Sequence, residues 1–161
     1  MVIFKDISND KPYRRFLDLY KKAEEMNEPC IDIICLSTYD PKHKQVNSRF
    51  LNLKYISNDH WIFFSNYNSK KAKEVEQHNN VSMSIYWSTL DAQVRLKGKI
   101  SKSPEIVSDE HFRIRDNKKN ALSVSSRQSL KVDSYETVLK NYDETLQNYN
   151  FEERPKYWGG Y

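Results

Sequence analysis

Basic and hydroxyl side chains are concentrated in a short part of this sequence, and their types suit the binding of a phosphate group. They are Arg49, Lys54, Ser65, Ser69, Lys70 and Lys71. Ser69 is placed to open a helix, and backbone N–H groups at a helix N-terminus bind anions together with cationic side chains, without a glycine-rich loop. The residues alone leave open the alternative that these are solvated surface charges.

Several other chemistries lack the residues that they need. Gly98, Gly159 and Gly160 are the only glycines, whereas a dinucleotide fingerprint or a P-loop needs several where the backbone approaches phosphate. The four histidines are widely separated, and Cys30 and Cys35 complete no metal-binding pattern, so no metal site is predicted. No serine has the glycine spacing of a hydrolase nucleophile. Any catalysis is therefore expected to use a borrowed cofactor, and no catalytic residue is assigned.

The composition indicates a small cytoplasmic protein. The chain has 161 residues, enough for one domain with one core, and a formal net charge of +4. Acidic residues interrupt the basic ones, which argues against a nucleic-acid-binding face. Because the sequence contains neither a signal-peptide pattern nor a long apolar run, neither secretion nor a membrane partner is expected.

Alternating polarity and β-branched residues predict the framework that positions the basic residues. Five strands are predicted, over 31–38, 49–56, 61–66, 81–87 and 92–100. The second and third are joined by a short polar turn and form a hairpin. Since helices interrupt the strands without alternating with them, we expect an antiparallel α+β barrel in a single domain, residues 1–161.

Apolar stripes and capping residues predict four helices. The first spans 11–27, and the second runs to Gln77 from a cap at Asn68 or Ser69. The third begins at a proline and extends to about residue 116. Asp133 and Glu136 form a capping-box pattern ahead of the last helix. The serine-rich segment 123–129 is polar and is assigned to no element.

The order of these pieces resembles the pyridoxamine 5'-phosphate oxidase family over nearly the whole chain. Segment 49–54 looks like the arginine-to-lysine flavin strand of that family, 63–66 resembles its aromatic-threonine-asparagine strand end, and 69–72 is similar to its serine-arginine-lysine-alanine phosphate turn. Further short matches follow at 86–87, 93–94, 126–129 and 158–161. Each motif is weak by itself, and the resemblance depends on their order and spacing.

The resemblance implies an α+β fold, an antiparallel six-stranded split β-barrel with peripheral helices. It implies a homodimer with FMN in the cleft between the subunits. The implied function is that of a cytoplasmic flavoprotein oxidase of vitamin B6 metabolism. A phosphorylated B6 vitamer, pyridoxamine or pyridoxine 5'-phosphate, would be oxidised to pyridoxal 5'-phosphate while O2 is reduced to H2O2.

By the same resemblance, Arg49, Lys70 and Lys71 would hold the FMN phosphate through charge-assisted contacts. The hydroxyls of Ser65 and Ser129 would be further donors. Gln93 and Gln128 would contact polar edges of the flavin. Trp158 would pack near the flavin rings, and the alternative for Trp158 is that it is an ordinary core residue. The residues implied for the cofactor are Arg49, Phe50, Leu51, Lys54, Phe64, Ser65, Lys70, Lys71, Gln93, Gln128, Ser129 and Trp158.

Four positions resemble those with which the family binds the substrate phosphate: Lys54, His111, Arg115 and Lys119. His111 replaces a tyrosine of the family and Lys119 replaces a serine, so a more basic site with a changed preference among substrates is expected. The alternative for these residues is an exposed basic helix face.

The sequence stops at Tyr161, whereas the family continues into strands that carry an arginine and histidine motif over the substrate. Two explanations are open: the chain is a shortened oxidase, or it is a flavin-binding relative that has lost or changed its reaction. The alternative function is therefore a non-catalytic or altered-substrate FMN-binding protein, and a structural homodimer with an empty cleft is a third hypothesis.

Overall fold

The computed structural model describes residues 1–126 and 130–161 of the chain. These residues form two compact units. The first, here called the sheet unit, consists of Met1–Phe63 and Glu74–Ser101, and the second, the helical unit, consists of Phe64–Lys73 and Lys102–Tyr161. The expectation of a single domain over 1–161 stays a prediction.

The sheet unit consists mainly of antiparallel strands. Its elements are β1 (Ile3–Lys5), α1 (Lys11–Glu25), β2 (Ile33–Asp40), β3 (Gln45–Ser57), the first part of β4 (His60–Asn66), the second half of α2 (Lys70–Gln77), β5 (Asn80–Trp87) and β6 (Ala92–Lys99). Pairing follows the order β6-β5-β2-β3-β4, with every neighbour antiparallel. β1 pairs in parallel with β3.

All five strands predicted from the sequence are confirmed, with shifted ends. β3 begins at Gln45, four residues before the predicted start, and pairs with β2 from Asp40↔Gln45 to Ile33↔Asn52. The alternation is confirmed too, because Leu53, Met83 and Ile85 are buried. β1 was not predicted, since three residues carry too little pattern to identify a strand.

Helix α1 covers the core of the sheet unit with an aromatic cluster. Phe16 packs against Trp61 and Trp87, with ring centroids 4.5 and 5.5 Å apart, and Tyr20 meets Trp87 edge-on at 5.9 Å. Phe16 and Tyr20 are one helical turn apart, so both point to the same side of α1. The predicted apolar stripe is therefore the face that α1 buries.

The helical unit contains α3 (Glu105–Ile114), α4 (Asn117–Ser125), α5 (Tyr135–Asn148) and the short strand β7 (Trp158–Gly160). Residues 64–66 of β4 pair antiparallel with β7, with Ser65 opposite Gly159. None of the described helices has the length and apolarity that crossing a membrane requires. β7 was not predicted from the sequence, because three residues carry too little pattern to identify a strand.

The predicted bounds of the third helix are wrong at both ends. Pro104 is the N-cap and not the first helical residue, so α3 begins at Glu105, and the chain turns out of helical geometry at Arg115. Arg115 is extended (φ −79°, ψ 142°), and the Asp116 side chain accepts hydrogen bonds from the backbone N–H groups of Lys118 and Lys119. A carboxylate in this position caps a new helix. Residues 117–125 therefore form α4, and the serine-rich segment begins inside it.

The predicted cap of the last helix is also one residue out of place. Ser134, not Asp133, is the N-cap of α5, and its Oγ accepts a hydrogen bond of 3.2 Å from the backbone N–H of Thr137. Serine and aspartate cap helices about equally well, so the sequence pattern does not choose between adjacent candidates.

Gly159 lies where two side chains leave no space for a Cβ atom, and this yields a stability prediction. A Cβ would lie 2.3 Å from Tyr67 Oη and 2.9 Å from Ser108 Oγ. Ser108 Oγ also accepts a hydrogen bond of 3.0 Å from the backbone N–H of Gly160, which limits how far the Ser108 side chain can move away from an added Cβ. Gly159→Ala should lower the free energy of unfolding by about 1–3 kcal/mol in urea titrations.

The matched control is Gly98→Ala in β6, where a Cβ meets no heavy atom within 4 Å. This variant should stay within about 0.5 kcal/mol of the wild type. Equal stability of the two variants would show that the packing around Gly159 is not the constraint.

Candidate functional site

The N-terminal turn of α2 places two lysines and a hydroxyl group together in the helical unit. Ser69 precedes the first helical residue, and its Oγ accepts hydrogen bonds from Lys71 Nζ at 2.9 Å and from the Ala72 N–H at 3.4 Å. The first turn contains no acidic residue. Positive side chains and the positive end of the helix dipole therefore coincide, as an anion site requires. Lys70 is exposed, and Ser65 is buried in the ladder with β7.

Three aromatic side chains named in the sequence analysis form one stack in the helical unit. The rings of Phe64 and His111 are nearly parallel, with centroids 3.8 Å apart. Trp158 lies near-parallel to both, at 5.4 Å from Phe64 and 6.2 Å from His111. Trp158 is only 3% exposed, so it packs as a core residue in this unit. The structure thus brings together two residues predicted for the cofactor and one predicted for the substrate.

Arg115 lies against the same stack and is held by neutral oxygens. Its guanidinium carbon is 5.2 Å from the centroid of the Trp158 ring. Nη1 donates hydrogen bonds to Asn120 Oδ1 at 3.0 Å and to Ser123 Oγ at 2.9 Å. Burial lowers the pKa of Arg115, which the nearby charge of Asp116 partly opposes. Lys119, the remaining predicted substrate residue of this unit, is exposed near the start of α4.

In the sheet unit, Arg49 is part of a buried hydrogen-bond network around Glu74. Arg49 Nη2 donates to Glu74 Oε2 at 3.1 Å, and Nη1 donates to Thr38 Oγ1 and to the Leu36 carbonyl. Glu74 also accepts hydrogen bonds from Thr38 Oγ1 and from Asn47 Nδ2, and it is 3% exposed. These bonds use three of the five N–H groups of the guanidinium.

Sequence reasoning missed Glu74, which is the carboxylate that balances the charge of Arg49. Glu74 lies in α2 between the buried residues Ala72 and Val75, and that position on an apolar face was the available signal. A carboxylate there is costly unless it is paired. The role of Arg49 as a phosphate contact stays a prediction, and any ligand would share the guanidinium with Glu74.

The other predicted residues of the sheet unit differ in their surroundings. Lys54 Nζ forms an ion pair of 2.8 Å with Asp32 Oδ2, Leu51 is half-buried, Phe50 is 75% exposed, and Gln93 is exposed on β6. Gln128 and Ser129 lie outside the described residues. No group of three or more candidate metal ligands occurs in the ranges 1–126 and 130–161.

The buried carboxylate of Glu74 yields a prediction on stability. Glu74→Ala removes the acceptor shared by Thr38, Asn47 and Arg49 and leaves a largely buried guanidinium without its counter-charge. We expect the free energy of unfolding to fall by on the order of 3 kcal/mol. Lys73→Ala, at an exposed position of the same helix, is the control and should change stability by less than about 0.5 kcal/mol. A loss no larger than that of the control would contradict a structural role for the network.

The ion pair between Asp32 and Lys54 predicts a pH dependence. Burial acts to raise the pKa of Asp32, but the hydrogen bond and charge of Lys54, with the N-terminal ammonium 3.8 Å away, hold it below its usual value. The stabilisation is therefore fully present above the unfolded-state pKa, about 3.9, and is lost as the pH falls through the lower folded-state value.

Urea titrations at pH 6 and near pH 3 test this expectation. The loss of stability on acidification should be smaller in Asp32→Asn than in the wild type, because the variant has no carboxylate to protonate at this position. Asp18→Asn, at an exposed site of α1, should keep the wild-type dependence. If the wild type and Asp32→Asn lose the same free energy of unfolding on acidification, the prediction is contradicted.

Comparison with known proteins relates these residues to a family. The family model described as pyridoxamine 5'-phosphate oxidase matches residues 22–142. The pyridoxine/pyridoxamine 5'-phosphate oxidase of Leptospira biflexa is 28% identical over 162 residues, covering 99% of this chain and 76% of the relative. The pyridoxine-5'-phosphate oxidase of Bos taurus is 32% identical over 157 residues, covering 93% of this chain and 58% of the relative. The matched share of the relatives therefore ranges from over three quarters to little more than half.

Two solved structures share the fold. PhzG from Burkholderia lata 383, in complex with tetrahydrophenazine-1-carboxylic acid, has a TM-score of 0.87 at 21% identity and covers 92% of this chain and 73% of its own. A pyridoxamine 5'-phosphate oxidase-related, FMN binding protein from Nostoc punctiforme has a TM-score of 0.77 at 14% identity, with coverages of 94% and 80%. The predicted fold class, an antiparallel split β-barrel with peripheral helices, is confirmed.

Proposed function

Because the chain belongs to the pyridoxamine 5'-phosphate oxidase family, we propose that it is an FMN-dependent oxidoreductase that converts pyridoxamine or pyridoxine 5'-phosphate to pyridoxal 5'-phosphate. O2 would be reduced to H2O2. The expected cofactor, FMN, agrees with the family and with the Nostoc protein, which is described as FMN binding. We further propose that the protein acts as a cytoplasmic homodimer with the cofactor at the subunit interface.

The observation that carries the proposal is the N-terminal turn of α2. A phosphate monoester needs cationic and N–H donors, and this turn supplies Lys70, Lys71 and a helix N-terminus without an acidic residue nearby in the turn. The donor set therefore fits the phosphate of FMN. Phe64, which is half-buried, would contact the flavin rings with the buried Trp158 packed against it, and bound FMN would supply two-electron oxidation chemistry.

Arg115 and His111 would bind the phosphate of the substrate. Arg115 is fixed by two hydrogen bonds and by the ring of Trp158, so little side-chain freedom is left to lose when an anion binds. His111 stacks on Phe64 with ring centroids 3.8 Å apart, which sets the plane of its ring, and imidazole nitrogens are groups that can contact phosphate oxygens. Lys54 and Lys119 are further proposed contacts.

A second candidate is a non-catalytic or altered-substrate FMN-binding protein of the same fold. The ion pair between Lys54 and Asp32 favours it, because a cation proposed to hold the substrate phosphate is already neutralised by a carboxylate. Substrate binding through Lys54 would have to break or share that pair, at a cost in affinity.

The experiment that separates these functions starts with purified protein incubated with excess FMN, desalted and examined by absorbance. Pyridoxamine 5'-phosphate is then added in air, and H2O2 is measured. Retained flavin with stoichiometric peroxide and pyridoxal 5'-phosphate is the expected result. Retained flavin without turnover would favour the binding protein, and no retained flavin would overturn the cofactor proposal.

The proposed phosphate turn yields a prediction for FMN affinity. Lys71→Ala should raise the dissociation constant of FMN by about 5-fold to 150-fold, because a charge-assisted hydrogen bond contributes about 1–3 kcal/mol. The control is Lys73→Ala, at the exposed position that follows the buried Ala72. This variant should bind FMN as the wild type does. Fluorescence quenching of FMN gives both constants. Equal constants in two folded variants would remove Lys71 from the site.

A further inference from the structure

Asn120 occupies a fully buried position at the junction between α3 and α4. Its exposed fraction is 0%, and its Nδ2 donates hydrogen bonds to the carbonyl oxygens of Phe112 at 2.8 Å and of Arg115 at 3.3 Å. Both carbonyls lie at the end of α3, where helix carbonyls lack partners within the helix. Since the amide nitrogen is committed to these two acceptors, the orientation of the side-chain amide is fixed.

This orientation directs the oxygen of Asn120 at Arg115. Oδ1 accepts a hydrogen bond of 3.0 Å from Arg115 Nη1, and Ser123 Oγ accepts a second one of 2.9 Å from the same nitrogen. Ser123 is itself oriented by donating its hydroxyl proton to the Lys119 carbonyl at 3.2 Å. Both hydrogens of Nη1 are therefore engaged, and one edge of the guanidinium is anchored.

The other edge of the guanidinium, formed by Nε and Nη2, is not anchored by hydrogen bonds in this way. Within 1–126 and 130–161, the side-chain hydrogen bonds of Arg115 are the two that Nη1 donates, so Nε and Nη2 have no acceptor there, and no carboxylate forms an ion pair with the guanidinium. The cation is half-buried and its hydrogen-bond acceptors are neutral oxygens, while the charge of Asp116 acts on it without forming an ion pair. Such a charge gains stabilisation when an anion binds to it, and Nε with Nη2 is the edge that binds two phosphate oxygens at once.

We propose that Asn120 is a positioning residue, which holds the guanidinium of Arg115 so that its Nε and Nη2 edge receives the phosphate group of a ligand. The inference rests on the proposed function, because it takes the ligand to be a phosphate monoester such as pyridoxamine 5'-phosphate. Asn120 acts through Arg115 and does not itself contact the ligand. Ser123 is the second support of the same nitrogen.

The test measures equilibrium binding of pyridoxamine 5'-phosphate and of unphosphorylated pyridoxamine by anaerobic calorimetry, with the bound FMN reduced beforehand so that neither compound is oxidised. Asn120→Ala should weaken binding of the phosphorylated compound about tenfold, and Ser123→Ala a few-fold, as expected for the loss of one hydrogen bond to a charged group. Binding of pyridoxamine and retention of FMN should not change. Asn117→Ala, at the exposed first residue of α4, is the control.

A double-mutant cycle distinguishes positioning from general destabilisation. In an Arg115→Ala background, Asn120→Ala should cause no further loss of affinity for the phosphorylated compound, because the group that it positions is absent. An equal loss in both backgrounds, or wild-type affinity of Asn120→Ala, would overturn the proposal. If Asn120→Ala does not fold, as judged by circular dichroism, Ser123→Ala in the same two backgrounds decides the question.

The outcome for the wild type separates this inference from the proposed function. Wild-type protein that does not bind pyridoxamine 5'-phosphate contradicts the proposed substrate, and the same variants are then titrated with inorganic phosphate. Phosphate binding that depends on Arg115 and Asn120 would support positioning with a different ligand. A wild type that binds neither probe would overturn both proposals.

Discussion

A half-buried arginine imposes the same electrostatic constraint in each of the two units of this protein. A guanidinium removed from water needs hydrogen-bond acceptors for its N–H groups, and its charge needs either a carboxylate or a ligand to balance it. Arg49 in the sheet unit has Glu74 as its carboxylate. Arg115 in the helical unit is bound to the neutral oxygens of Asn120 and Ser123. The charge of Arg49 is thus balanced within the chain, whereas the hydrogen bonds of Arg115 leave its charge for the proposed ligand to balance.

The aromatic residues of the helical unit also stabilise the charge of Arg115. Trp158 offers a ring face to the Arg115 guanidinium, which stabilises a cation without neutralising it. The ring is fixed by β7, whose pairing with β4 depends on two adjacent glycines that admit Tyr67, Ser103 and Ser108 at close range. A three-residue strand thus fixes the ring against which Arg115 packs. The stacking of Phe64 and His111 next to it places cofactor and substrate candidates in one cluster.

Some of the cations proposed to bind phosphate already have a carboxylate partner, which affects how strongly each would bind a ligand. Of the cations proposed to bind phosphate groups, Arg49 and Lys54 already have carboxylate partners, Glu74 and Asp32. A ligand phosphate would compete with those partners in the sheet unit but would meet no such competition at Arg115. Among these three arginine and lysine side chains, electrostatics therefore favours Arg115 as the strongest proposed source of phosphate affinity.

The sequence by itself determined the features that depend on neighbours along the chain. Alternation identified the five longer strands, an apolar stripe identified α1, and the order of short motifs identified the family, which the match over residues 22–142 confirms. It did not locate the break at Arg115 or the cap at Ser134, because several adjacent residues satisfy the same local rule equally well. Tertiary structure alone decided which charges meet. Glu74 and Arg49 are 25 residues apart in the chain, and such a pairing follows from how a helix packs on a sheet, which local periodicity does not encode.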